Sequence, residues 1–460
     1  MIEKNRSFSI QLKMEIDRKL GWRIRKFIKQ QSFGGFLLIF VTVIAVTWAN
    51  SDYYEQYDYL WHKIKMGFSF GNFNLEADLH HWVNDGLMAI FFFVIGLEIK
   101  REVIDGELSS FKSAILPLGA AVGGMLIPAL IYVAFNYDNP QNIDGWGIPM
   151  ATDIAFALGL MSLLGNRVNV NLKIFLTALA IADDLGAIMV IALFYTESID
   201  MREILQAAIF LGILAGGNYL GIRKTAFYAI VGLAGVWLSF VYSGVHATIA
   251  GVLIALTIPS RPKIGGKQYI EKLKKRLLGS VLSKSEGDKM LSPEEAHSLN
   301  YVIKYTNDAE SPSQKLEHVL HPFSSFFILP IFALANAGVR IEGSLTELLF
   351  HPISLGIIAG LVIGKFLGIG LFTKLIVKLN IAPLPNGVNF KQIYGAAFLA
   401  GIGFTMSIFI SDLAFQSDEQ IQIAKVGVFA ASIIAAVLGM ALLSSSSDSK
   451  KLNTTEKKGI

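Results

Sequence analysis

Four ionisable residues lie where a membrane-spanning sequence has least use for charge. Asp183 and Asp184 fall at the centre of the apolar run 171–196, Lys365 at the centre of 353–378, and Asp153 inside the short run 148–165. Charge at the middle of a bilayer costs about 2.5–3.5 kcal/mol on insertion scales, so such groups face a protein interior or a water-filled cavity. Adjacent residues on a helix point about 100° apart, so Asp183 and Asp184 cannot share one geometry. One is expected to pair with the Lys365 ammonium while the other faces the cavity. A purely structural ion-pair network is the competing reading, and the weaker one, because apolar replacement of buried pairs is often neutral or stabilising. Carboxylate oxygens bind small hard cations and protons alike, and a coupled cluster titrates as a unit. A site that is protonated or sodium-loaded in turn, and open to each side alternately, would exchange the two ions. Two acids with a titratable lysine could carry more than one proton per sodium, which would make exchange sensitive to membrane voltage.

The residues around the acids point the same way. Asp153 stands in GIPMATDIAFALG, with Pro149 and Thr152 beside it. This short, Pro- and Gly-interrupted run reads as a broken helix whose freed carbonyls coordinate a cation near Thr152 and Asp153. The bland reading is a helix start capped by Thr or Asp. A second interrupted run, AGIGFTMSIFI, carries Gly401, Gly403, Thr405 and Ser407; its bland reading is small residues for close helix packing. Each interrupted run is the middle member of a three-run group, 111–196 and 353–444. The pattern matches an architecture already established for inverted-repeat transporters, with broken helices crossing at the bilayer midplane.

The elements that must hold these residues follow from composition. The 460-residue chain is 53% apolar and only 17% charged, with a mean hydropathy of +0.51. Soluble domains run nearer a quarter charged, so the fold class is an all-α polytopic membrane protein. Twelve apolar runs are predicted: 33–50, 83–104, 111–136, 148–165, 171–196, 202–220, 224–242, 244–258, 322–338, 353–378, 391–412 and 423–444. With the N-terminus inside, 34 Lys/Arg fall on the cytoplasmic side and five outside. This positive-inside bias puts both termini in the cytoplasm. Residues 1–32 then form a polar, basic cytoplasmic tail without a cleavable signal peptide, and 445–460 a second cytoplasmic tail. The external connection 51–82 has the Gly/Asn-punctuated alternation of a β-hairpin. The cytoplasmic loop 261–316, rich in Lys, Ser and Glu, reads as mobile or weakly helical. The absence of cysteine removes thiol catalysis, Cys-ligated zinc and iron–sulfur clusters. A net charge of +4 is too small to imply nucleic acid, and no GxxxxGK[ST] loop offers a nucleotide site.

Seven ordered strings make the chain resemble the NhaA family of sodium/proton antiporters: VNDGLMAIFFFVIGLEIKRE, PMATDIAFALG, LTALAIADDLGAI, SGVHATIAGVLIAL, LEHVLHP, ILPIFALANAG and AAFLAGIGFTMSIFI. The likeness runs from about residue 33 to 444. It implies that Asp184 is the principal Na⁺, Li⁺ and H⁺ ligand, with Asp183 beside it in reach of Lys365. Asp153 and Thr152 would sit at the crossing of the broken helices, Asp153 balancing the helix ends. Glu98, Lys100, Arg101 and Glu102, with Glu317, His318 and His321, would form a cytoplasmic pH-response region, and His246 would affect the pH profile. Asp85 would be an acid near the external end of its helix, and the 51–82 hairpin a homodimer contact. The resemblance further implies a multi-pass protein of a bacterial inner membrane with no cofactor. Phe366, where the family usually has Pro, and the long 261–316 loop are departures; the first leaves the bend at Lys365 open. Two other functions compete. An intramembrane aspartyl protease would use Asp153 and Asp183 as a dyad, but no GLGD-type motif is present, and a lysine at that depth opposes shared-proton chemistry. A sodium–solute transporter would need a roomier polar cavity.

Overall fold

The computed structural model describes residues 33–456 apart from 71–72, 197–198, 281–292 and 342–343; the N-terminal tail 1–32 lies outside the described residues. In chain order the main elements are α1 (Phe33–Ala49), the strands β1 (Lys65–Phe70) and β2 (Phe73–Asp78), α2 (Met88–Asp105), α3 (Phe111–Asn136), a short helical stretch Pro140–Met150, α4 (Ile154–Leu163), α5 (Val170–Phe194), α6 (Met201–Tyr219), α7 (Thr225–Ser243) and α8 (Ala247–Thr257). There follow α9 (Gly266–Ser280), α10 (Pro293–Ala309), α11 (Pro312–Asn336), α12 (Pro352–Lys378), α13 (Phe390–Ala400), α14 (Phe404–Ala414) and α15 (Asp418–Glu456). Among the described residues six helices are singly long and apolar enough to span a bilayer, and nine if each of three bent pairs counts as one. The shorter or more polar α2, α6 and α8 complete the twelve. The protein is an all-α polytopic membrane protein.

Two interrupted runs are two bent pairs. Pro140–Met150 meets α4 at 45°, and α13 meets α14 at 45°. Each breaks where Pro or Gly interrupts the apolar run, because neither residue supports a continuous helical ladder. α11 begins at Pro312, ten residues before the apolar run that predicts it. Its first turns are amphipathic, so hydropathy alone misses them. Pro322 lies within it and a wide π-helical turn at Ser324–Ile328 follows, a usual way to absorb a disrupted ladder.

The chain forms two compact units. Among the described residues, one comprises those of 33–88, 102–196 and 324–456, and the other those of 89–101 and 199–323. In the first unit α3 packs along α12 so closely that only glycine fits at the contact. A methyl group on Gly123 would overlap the Gly368 carbonyl, and one on Gly364 would overlap Pro128. Small residues permit this approach where no hydrophobic effect drives helices together. Tyr132 Oη donates to the Asn142 carbonyl (2.7 Å), and Tyr195 Oη donates to the Asp144 carbonyl (2.8 Å) while accepting from Gly147 N (3.1 Å). The two tyrosines therefore pin Pro140–Met150 against α3 and α5. β1 and β2 pair antiparallel from Lys65–Asp78 to Phe70–Phe73, and Trp82 Nε1 donates to the Met66 carbonyl (2.8 Å). In the second unit α6, α7 and α8 pack on one another, and α8 packs against residues 89–101. Gly251 lies against the Ala89 carbonyl and Gly96 against Ala255.

Candidate ion-binding site

The first unit brings Thr152, Asp153, Asp183, Asp184 and Lys365 into its interior; all are buried, Asp183 and Lys365 completely. Asp183 and Asp184 stand on α5 in the sequence ALAIADDLGA. Lys365 opens the last part of α12, directly after a π-helical turn at Ala359–Gly364. Its ammonium pairs with Asp183 Oδ2. Thr152 Oγ1 lies 2.7 Å from the same oxygen and 2.8 Å from the Ala400 carbonyl; its one proton serves one acceptor at a time. Among the described residues Asp183 Oδ1 is buried without a hydrogen-bond partner.

The two breaks satisfy each other. Asp153 N donates to the Ile402 carbonyl (2.7 Å). Asp153 Oδ1 accepts from Phe156 N (2.9 Å), and Oδ2 accepts from Thr405 N (3.2 Å) and Thr405 Oγ1 (2.5 Å). One carboxylate therefore caps the N-termini of both α4 and α14, where helix dipoles favour negative charge. Ser407 Oγ donates to the Ile148 carbonyl (2.8 Å). Thr152 and Ser407 each quench a carbonyl freed by the opposite break, as buried backbone requires. Pro149 is buried in the turn before the first break and touches the place a Gly360 side chain would fill; a side chain at Gly401 would strike the Leu361 carbonyl, and one at Gly403 would strike Ser407. The bare glycines let α12 approach the crossing. Phe366, beside the lysine, stacks on Phe398 with centroids 4.6 Å apart, and α12 stays unbroken through Lys365.

The residues expected to answer pH fall elsewhere. In the second unit Arg101 pairs with Glu317, and His321 Nε2 lies 3.5 Å from Glu98 Oε1. Residues three apart on α2 thus face residues four apart on α11. Lys100 Nζ donates to the Leu256 (2.7 Å) and Ile258 carbonyls, closing the C-terminus of α8, where cations are favoured. His318 is exposed. His246 immediately precedes α8, and its carbonyl accepts from Ile249 N (3.1 Å). Glu102 belongs to the first unit and accepts from Glu107 N (3.1 Å). Asp85, also in the first unit, lies 2.9 Å from His81 Nε2 and holds that imidazole above its ordinary pKa, whereas burial pushes His80 below it.

Other contacts carry little or no sequence signal. The Ala400 and Ile402 carbonyls carry no sequence signal, since any residue supplies them. Asp412 on α14 pairs with Lys425 on α15 at 2.8 Å, the lysine buried and the aspartate half-buried, and among the described residues Asp412 Oδ2 has no hydrogen-bond partner. Its signal was present but weak: both residues stand near the ends of apolar runs, where charge is ordinary. His80, Asn84 and Asn336 form a further network, with His80 Nε2 2.8 Å from Asn336 Oδ1 and Asn336 Nδ2 donating to Asn84 Oδ1 (3.0 Å).

Asp153 is committed to Thr405 and helix ends, and Asp183 to Lys365 and Thr152, so neither offers the proton-sharing dyad of an aspartyl protease. Paired half-helices closing on buried acids and a lysine define a multi-pass membrane protein of the transporter class. The Na⁺/H⁺ antiporter 1 family profile matches residues 25–443. The chain is 46% identical to the Na⁺/H⁺ antiporter NhaA of Oleidesulfovibrio alaskensis over 93% of its length and 94% of the relative's. It is 48% identical to the Na⁺/H⁺ antiporter NhaA 1 of Psychromonas ingrahamii, covering 91% and 96%, and 47% identical to the Na⁺/H⁺ antiporter NhaA of Sulfurimonas denitrificans, covering 92% and 95%. The chain belongs to the Na⁺/H⁺ antiporter 1 family.

Proposed function

We propose that this protein is a secondary Na⁺(Li⁺)/H⁺ antiporter that extrudes sodium from a bacterial cytoplasm in exchange for external protons. The observation that carries this reading is the wholly buried constellation of Lys365, Asp183 and Thr152 at the crossing of two broken helices, with Asp184 next in sequence. Sodium is the substrate. Its hard charge calls for oxygen ligands, which the Asp183–Asp184 pair, the Thr152 hydroxyl and nearby carbonyls can supply. Among the described residues no three Asp, Glu or His side chains gather as a metal-holding cluster, so ion binding here relies on the pair and neutral oxygens. That suits an ion that must leave again.

A cation reaching Asp183 competes with the Lys365 ammonium for the carboxylate. Release of a proton from the carboxyl pair, and of another from the displaced lysine, would move more than one H⁺ per Na⁺ and make exchange electrogenic. Alternating access then re-aims one three-helix group about the fixed acids. The α2–α11 cluster of Glu98, Arg101, Glu317 and His321 would tune this exchange from the cytoplasmic side. We place both termini in the cytoplasm, and the β1–β2 hairpin at a homodimer contact. The role of such a protein is sodium and pH homeostasis.

The test is dissipation of ΔpH in inside-out vesicles on adding Na⁺, Li⁺ or K⁺. A response specific to Na⁺ and Li⁺ and lost in Asp184→Asn is expected. Exchange that persists in Asp184→Asn would overturn the site, and a folded, inserted wild type silent to every cation would overturn the function.

A further inference from the structure

The segment between α8 and α11 supplies no residue of the proposed ion site, yet it is tied to two membrane helices. Lys263 N and Ile264 N both donate to the Asp308 carbonyl (2.9 and 3.1 Å), and Ser313 N donates to the Pro259 carbonyl (3.2 Å). Lys263 Nζ lies 3.6 Å from Asp308 Oδ1, and Ile264 is buried. Pro259 is two residues past the end of α8 and Ser313 is the second residue of α11, so the chain leaves and re-enters the membrane region at one point. Only nine positions separate Thr257 from Gly266, at most about 30 Å of chain. α9 and α10 are therefore held near the bilayer surface.

Their chemistry suits that surface. α9 carries Lys267, Lys272, Lys274, Lys275 and Arg276 against a single acid, Glu271. It packs on α10 through Tyr269 Oη and Thr306 Oγ1 (3.1 Å) and through Lys272 Nζ, 4.9 Å over the Tyr305 ring. The same pair of helices leaves Ile270, Leu299 and Ile303 about half exposed, at 52, 49 and 49%. Basic residues, uncovered aliphatics and tyrosines together are the composition of a helix lying in a membrane interface. α10 carries Glu294, Glu295 and Asp308 against Lys304, so the basic charge lies on α9, where it is complementary to anionic phospholipid headgroups of the leaflet at which α8 ends and α11 begins.

We propose that α9 and α10 form a docking surface for anionic phospholipid headgroups. The partner is the surrounding leaflet, and recognition combines the lysines with the insertion of Ile270, Leu299 and Ile303 among the upper acyl carbons. Because α11 continues directly from this pair and carries Glu317 and His321, the docked state fixes the start of the helix that bears the proposed pH-response residues. The docking itself does not depend on the antiport reading.

The cysteine-free chain allows a single reporter. The full-length protein with Ile270→Cys, or separately Ile303→Cys, is labelled with an environment-sensitive fluorophore and placed in nanodiscs of phosphatidylcholine alone or mixed with phosphatidylglycerol. The expected result is a blue shift, with quenching by nitroxide-labelled lipid, in the anionic discs only, weakened by salt. Substituting Lys267→Gln, Lys272→Gln and Lys304→Gln together is expected to reduce docking on the order of 100-fold, since each charge near an anionic surface contributes roughly fivefold. Equal signals in both lipids, indifference to the three substitutions, or a shift that follows protein concentration and so reports a second copy on this face would each overturn the proposal. None of these readouts requires transport, so failure here is distinct from failure of the antiport reading.

Discussion

At the scale of single residues, the Lys365–Asp183 pair carries the largest electrostatic stake, because neither partner touches solvent. Removing one partner of a buried pair strands the other charge and typically costs about 3–5 kcal/mol, whereas replacing both by apolar groups is often neutral or stabilising. Lys365→Met should therefore lower the thermal midpoint in detergent, and the double substitution Lys365→Met with Asp183→Leu should restore much of it while abolishing exchange. An equally unstable double variant would show that packing, not charge, dominates there. Thr152 offers a finer probe. Thr152→Ser keeps the hydroxyl that serves Asp183 and Ala400, while Thr152→Val leaves buried acceptors short of a donor at a cost of about 1–3 kcal/mol. Valine but not serine should depress both stability and exchange. On the histidines the signs are opposite. His81 is held above its ordinary pKa chiefly by its hydrogen bond to Asp85, and His80 below it by burial. The His81–Asp85 contact thus contributes stability that is complete below about pH 6.5 and is lost as pH rises through the raised value. NMR titration should find His81 titrating above His80, and Asp85→Asn should bring His81 down without moving His80.

At the scale of elements, the α3–α12 contact depends on missing side chains. Gly368→Ala would push a methyl group into the Gly123 carbonyl, and overpacking of this kind costs about 1–3 kcal/mol. Gly212→Ala on α6 meets nothing within 4 Å and should be neutral or slightly stabilising, since alanine is the better helix former. A thermal-shift comparison of the two variants checks the claim; equal midpoints would mean the helices can part without cost. The twelve apolar runs, the two breaks and the three acids with their lysine stand in the sequence because hydropathy, Pro/Gly interruption and mid-run charge are one-dimensional signals. Which carboxylate meets Lys365 was open on residue types alone, since it depends on helix rotation, and the structure places Asp183 there. The early start of α11 at Pro312 was hidden because its first turns are amphipathic rather than apolar. The mutual capping of the breaks was hidden because backbone carbonyls have no residue code. Lys100 shows the reverse case: grouped in sequence with a charged cluster, it closes the end of α8 in space.

At the scale of the whole molecule, the proposed ion site belongs to the first compact unit and the cluster of Glu98, Arg101, Glu317 and His321 to the second, so effects on each can be separated by experiment. Glu317→Gln breaks the pair with Arg101 and leaves the acids of α5 untouched. It should shift the pH profile of sodium-dependent ΔpH dissipation, measured across about pH 6.5–9 where histidines and neighbouring groups change charge, while retaining the maximal rate. A loss of maximal rate with an unmoved profile would instead make Glu317 a structural residue. Asp184→Asn should do the converse and remove exchange at every pH.

The Asp412–Lys425 pair has a consequence for how such chains change over generations. A lysine that loses its partner can extend its long stem toward water, but a short aspartate on α14 cannot. Loss of the acid first is therefore the milder step, and loss of the lysine first the costlier one. Among chains descended from a common ancestor, the lysine alone should be found more often than the aspartate alone.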